Sequence, residues 1–174
     1  MGIMKLLILG AAQSGKDTIA EYLSEKYKMR YLSTSIYIAK HIIMPAFSGR
    51  YSDFNACYSD RINNREGWAS LINEYCKDDP SRIMKEVLLI SDIYCGLRSS
   101  DQFSDSFDNE LYDLSIWVER PGYTESSNSM TIKKEDADFI IMNDKNLSDL
   151  HLKLDRIFEY FDNHFFDSRN VSYI

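Results

Sequence analysis

The stretch Leu6-Leu-Ile-Leu9, Gly10-Ala-Ala-Gln13-Ser14-Gly15-Lys16-Asp17-Thr18, Ile19-Ala-Glu-Tyr-Leu23 sets the architecture. Four apolar residues read as a buried strand. Ile19, Ala20, Leu23 and Tyr27 recur at helical spacing over Lys16–Tyr27. Between them lies a G-x-x-x-x-G-K loop. A strand entering such a loop and a helix leaving it aim backbone N–H groups and the helix's positive end at phosphate. Gly10 and Gly15 let the backbone approach anionic oxygens, and Lys16 adds a point charge. Asp17 stands where serine or threonine usually follows the lysine. A carboxylate beside phosphates requires a cation between them. Asp17 is therefore a candidate Mg²⁺ ligand, direct or through water, and Thr18 a candidate hydrogen-bond partner of an inner phosphate. Gly10, Gln13, Ser14, Gly15, Lys16, Asp17 and Thr18 make up the expected nucleotide-binding loop.

Further along, short apolar runs alternate with helical stretches. The pattern predicts five strands, at Met4–Leu9, Arg30–Leu32, Val87–Ser91, Leu114–Val118 and Phe139–Met142, in a mostly parallel α/β sheet. Helices are expected over 16–27, 35–44, 66–86 with a break near Asp78-Asp79-Pro80, and 146–166. In the last, Leu147, Leu150, Leu154, Ile157, Phe158, Phe161 and Phe165 form one apolar stripe. Residues 46–65 read as irregular, the tail 167–174 as partly disordered, and Arg120–Thr131 as a turn-rich loop long enough to be a lid.

The chain has 174 residues with 27 acidic and 20 basic side chains, a net charge of −7. That suits one domain with a core needing no disulfide or structural metal. Acidity argues against long nucleic acids and anionic membranes as partners. Cys57, Cys76 and Cys95 lack metal-site spacing and fit free thiols, hence a cytoplasmic location. No apolar run approaches the roughly 20 residues of a membrane span. The N-terminus matches neither a signal peptide nor the myristoylation pattern.

If the third strand ends at Ser91, Asp92 emerges at the carboxyl edge of the sheet, where parallel α/β proteins bind ligands. It is then a second candidate for organising Mg²⁺ and its waters. Arg98 follows six residues later; Arg65, Arg120, Lys133 and Lys134 are further cations. Phosphoryl transfer needs such groups to hold two anionic substrates and to neutralise the transferred group. His41, His151 and His164 accompany no serine nucleophile and read as structural.

With these residues in view, the chain resembles the bacteriophage-type deoxynucleoside monophosphate kinases of the adenylate-kinase-like P-loop fold. The resemblance rests on Gly15-Lys16-Asp17-Thr18. It continues through Asn64-Arg65-Glu66-Gly-Trp68, Ser91-Asp92 with Gly96-Leu-Arg98, Asp113-Leu-Ser-Ile-Trp-Val118, and Asp138-Phe-Ile-Ile-Met-Asn143-Asp144. It implies a three-layer fold with sheet order 2-3-1-4-5, an acceptor region over about 33–75 and a short lid over about 119–136. It also implies Mg·ATP at the loop and host cytoplasm as location if the chain is phage-encoded. By that resemblance Arg65 and Arg98 contact the acceptor phosphate, Arg120 contacts ATP from the lid, and Asn143 lies at the adenine. Ser33, Ser35, Tyr37 and Lys40 then shape the acceptor site. The lid departs from the family in carrying lysines and no arginine over 121–136. The expected activity is transfer of the γ-phosphoryl group of ATP to a nucleoside monophosphate, with Lys16, Asp92, Arg98 and Arg120 catalytic. The alternatives are a kinase of another small acceptor, such as dephospho-coenzyme A or a sugar acid, and a nucleotide-binding regulator without catalysis. The expected assembly is a monomer or homodimer.

Overall fold

The computed structural model describes residues 4–123 and 130–169, with side chains of the last helix described as far as Phe161. Its centre is β1 (Leu6–Leu9), buried along its whole length, as a strand covered on both faces must be. β1 pairs in parallel with β2 (Ile93–Cys95) on one side and with β3 (Leu114–Glu119) on the other; β4 (Phe139–Met142) adds beyond β3. The order is β2-β1-β3-β4. All four strands point the same way, so Leu9, Cys95, Glu119 and Met142 end on one edge and the loops that follow share it.

Two of the five expected strands are corrected. Arg30–Leu32 reduces to a single parallel bridge, Tyr31 to Ile93, on the outer side of β2. Val87–Ser91 is no strand: Val87–Ile90 closes helix α6 (Arg82–Ile90), and the strand begins beyond it at Ile93. A short apolar run fits either structure. Here Ile83, Met84, Val87 and Leu88 are buried while Leu89 and Ile90 face outward, the one-sided pattern of a helix. Among the described residues the sheet is therefore four-stranded.

Helix α1 (Lys16–Tyr27) follows the first loop as expected. Helices α2 (Thr34–Ile38) and α3 (Met44–Ala46) are joined by a π turn over Ala39–Ile43, in which Met44 N–H donates to Ala39 O, five residues back. Pro45, which cannot sit in a regular helix interior without clashing with the preceding turn, accounts for the widening. Residues 46–65, expected to be irregular, contain α4 (Phe54–Asp60), capped by Asp53 Oδ1 accepting from Ala56 N at 2.9 Å. The helical pattern of 66–86 resolves into α5 (Arg65–Tyr75) and α6, with the break at Asp78–Pro80 as expected. Helix α7 (Ser100–Asp108) was not foreseen.

The sheet separates two cores. Leu6, Ile8, Ile116 and Ile141 meet α1 and α8 (Leu147–Arg169) through Ile19, Leu23, Leu150, Leu154, Phe158 and Phe161. Leu147, expected in the same stripe, is exposed. Across the sheet, Leu7, Leu9 and Tyr94 pack on α2–α6. A polar latch fastens α1 to α8: the Asp155 carboxylate accepts from Tyr22 (2.8 Å) and Tyr27 (2.9 Å) and pairs with Lys26 at 2.7 Å. His151 stacks on Tyr22 with ring centres 3.7 Å apart, in keeping with a structural role. The Phe165 and His164 side chains, the loop residues 124–129 and the tail 170–174 lie outside the described residues. Among the described residues no helix is long and apolar enough to cross a membrane.

Candidate functional site

The loop after β1 is shaped by two glycines in the left-handed region. Gly10 has φ +136°, and a Cβ there would stand 2.4 Å from the carbonyl oxygen of Val118 on β3. Gly15 has φ +106°, and a Cβ there would stand 2.6 Å from the Asn143 amide nitrogen. At Gly10 the backbone carbonyl leaves no room for a side chain; at Gly15 the left-handed φ disfavours one and a Cβ would have to displace the Asn143 amide. Asn143, at the exit of β4, donates to Ser14 O at 2.9 Å and so braces the loop from the neighbouring strand end. Gly15 ends the loop with no side-chain cap on α1, and a helix start carries the positive end of the helix dipole. Lys16 Nζ folds back and donates to Gly10 O at 2.7 Å and to Ala11 O.

Above the loop is a cleft of about 360 Å³ lined by Gln13, Gly15, Lys16, Asp17, Thr18 and Arg120. Arg120, one residue past β3, donates from Nη1 to Gln13 O at 3.2 Å, and its guanidinium lies 4.3 Å from the centre of the Tyr123 ring. Of the expected loop residues, Gln13, Gly15, Lys16, Asp17 and Thr18 line the cleft with Arg120, whereas Gly10 and the buried Ser14 are not among its lining. Arg98 follows β2 on the same edge and is exposed; its carbonyl accepts from Thr131 N at 2.9 Å, which ties the chain at Thr131 to the end of β2. Lys134 pairs with Glu119 at 2.8 Å at the base of that segment.

Asp17 receives a hydrogen bond that its sequence neighbourhood does not announce: the Tyr31 phenol donates to Asp17 Oδ1 at 2.6 Å. Burial, followed by Cys95 and Asp17 beside it, pushes the Tyr31 hydroxyl well above its usual range, so it remains a donor. The Cys95 thiol, at the end of β2, is likewise driven up, first by burial and then by Asp17, with Lys16 opposing. Asp17 is the one carboxylate among the residues lining the cleft. Among the described residues no group of three or more His, Cys, Asp and Glu could cage a metal. The donor set fits Mg²⁺ all the same, because that ion is held by one or two carboxylates together with substrate phosphates.

Asp92 requires correction. It precedes β2 instead of following a strand, so it sits at the amino edge of the sheet, roughly 10 Å, the length of a three-residue strand, from the edge that carries the loop. There it is almost wholly buried and accepts from Arg30 N (2.8 Å), Arg30 Nη2 (2.7 Å) and Lys5 Nζ (3.0 Å). Burial opposes its charge, but the hydrogen bonds from Arg30 and Lys5 outweigh it and hold the carboxyl well below the usual carboxylate range. Asp92 ties the bridge residues at 30–31 and the start of β1 to β2; it is not placed to meet a metal at the loop.

On the expected acceptor side, Ser33 and Ser35 hydroxyls are 3.0 Å apart, and Ser35 is 3.0 Å from the Tyr58 hydroxyl. Tyr37 donates to Glu86 at 3.0 Å and stacks on His41, so its phenol serves the α2–α6 contact. Lys40 lies 5.3 Å from the centre of the Phe54 ring. Arg65 opens α5 and is exposed. Thr34 is buried with an unpartnered hydroxyl beside Gly96.

Comparison with known protein families finds no match, and comparison with curated proteins finds none either. Solved structures do match. The APS kinase CysC of Mycobacterium tuberculosis, in its complex with AMPPNP and APS, superposes with a TM-score of 0.53 at 11% identity, over 91% of this chain and 99% of that one. A cysteine-to-alanine mutant of the same enzyme gives 0.49 at 12% identity over the same shares. The chain shares the fold of that complexed kinase; in this chain the fold is a parallel sheet between helices, with the G-x-x-x-x-G-K loop after its first strand.

Proposed function

We propose that the chain is an ATP-dependent phosphotransferase that passes the γ-phosphoryl group of ATP to a nucleoside monophosphate, with a deoxynucleotide as the preferred acceptor. The observation that carries this reading is the cleft itself: a loop with two glycines in the left-handed region, a helix start without a side-chain cap, Lys16 and Arg120 around one carboxylate. The fold likeness to a kinase solved with a nucleotide and a second ligand supports it.

In this reading the first-turn N–H groups of α1 and Lys16 hold the donor phosphates, and Arg120 reaches them from the lid. Mg²⁺, held by Asp17, supplies charge neutralisation when bound. Arg98, and Arg65 on α5, meet the acceptor phosphate. Catalysis is positioning and electrostatic stabilisation; the acceptor phosphate is already anionic, so no general base is needed. Asn143 holds the loop in shape.

The test is ADP release with Mg·ATP and each ribo- and deoxynucleoside monophosphate, using Lys16→Ala as the blank. APS belongs in the panel because the kinase of like fold was solved with it. The expected result is turnover with one monophosphate, lowered by about a hundredfold or more in Lys16→Ala. Absence of Lys16-dependent ADP release with every acceptor refutes the reading.

A further inference from the structure

We propose that Tyr31 is a positioning residue for the divalent cation, holding the Asp17 carboxylate in the one orientation from which it can ligate a metal on bound nucleotide. This rests on the kinase reading above and adds to it a residue outside the phosphate-loop motif. The sequence replaces the usual hydroxyl after the loop lysine by a longer, charged side chain. A first-turn aspartate has several rotamers, and some swing its charge over the N–H groups that phosphate needs. Tyr31 removes that freedom. Its phenol takes Asp17 Oδ1 at 2.6 Å, leaving Oδ2 for a ligand.

The clamp is itself anchored. The Tyr31 backbone bridges to Ile93 at the sheet's outer side, and its ring packs on the core beneath α1. Asp17 is the one carboxylate among the residues lining the cleft: Glu119, which ends β3 on the same edge, is engaged by Lys134 at 2.8 Å, and Asp92 lies at the opposite edge. Metal placement therefore depends on one carboxylate, and that carboxylate on one phenol.

The experiment measures Mn²⁺ binding to the ADP complex of the full chain by electron paramagnetic resonance, alongside ADP binding without metal. Wild type, Tyr31→Phe, Asp17→Asn and the double variant complete a cycle. Tyr31→Phe keeps the packed ring and loses only the hydroxyl. It should weaken Mn²⁺ by about tenfold, near the lower end of what one hydrogen bond to a charged group contributes, because this one lies near solvent. Metal-free ADP affinity and melting temperature should stay at wild type. In the Asp17→Asn background the same change should have no further effect. Unchanged Mn²⁺ affinity in Tyr31→Phe, or an equal loss in both backgrounds, overturns the proposal while leaving the kinase reading intact. Failure of wild type to bind ADP removes both.

Discussion

Replacing Asp92 by asparagine separates a structural carboxylate from a catalytic one. The side chain is isosteric, so packing is kept, but Arg30 and Lys5 lose their anion. Removing one partner of a buried ion pair costs about 3–5 kcal/mol. Arg30 is half exposed and Lys5 about a quarter, so both cations recover part of their hydration, and asparagine can still accept from Arg30 N. An expected loss of about 2–3 kcal/mol follows, or a fall of roughly 4–12 °C in melting temperature for a chain of this size. The difference from wild type should also depend on pH. Because the folded-state pKa is depressed, the stabilisation is present above the unfolded value of about 3.9 and fades as pH falls through the lower folded value. Melting both proteins by circular dichroism from pH 7 down to pH 2 should therefore show two curves converging in acid. At pH 7 and a temperature below both transitions, ADP affinity should equal wild type. A variant with wild-type melting temperature and lost Mg²⁺-dependent nucleotide binding would refute this placement of Asp92.

Two further outcomes follow from the geometry. Gly10→Ala should abolish nucleotide binding and destabilise by a few kcal/mol, because its Cβ meets the backbone carbonyl of Val118, which cannot step aside; calorimetry with ADP and thermal melts read both. Cys57, Cys76 and Cys95 are all buried, and burial raises each thiol, so Ellman's reagent should label none in the native protein and three in denaturant. Fast labelling of a native thiol would contradict the packing at that residue.

The loop was legible because everything that defines it is local: nine consecutive residues contain both glycines and the lysine, and the flanking apolar patterns differ in period. Arg120 was legible for a related reason, since it follows directly on a clear strand. Asp92 was misplaced through a boundary. The apolar run ending at Ile90 was read as the strand itself, which put Asp92 after it; the strand in fact starts at Ile93, and the same aspartate moves to the other edge. An error of a few residues along the chain thus inverts the side of the sheet on which a side chain emerges. Tyr31 gave no local signal at all. Its partner Asp17 is 14 residues away, and the two meet only because the bridge to Ile93 brings the chain back beside α1.

The folded-back lysine gives the loop a support of its own. Its ammonium donates to the carbonyls of Gly10 and Ala11, so the side chain that opens α1 also ties the end of the loop to its beginning. Hydrogen bonds from a charged donor are stronger than those between neutral groups. The lysine of the motif is thus also a crosslink within the backbone of its own loop.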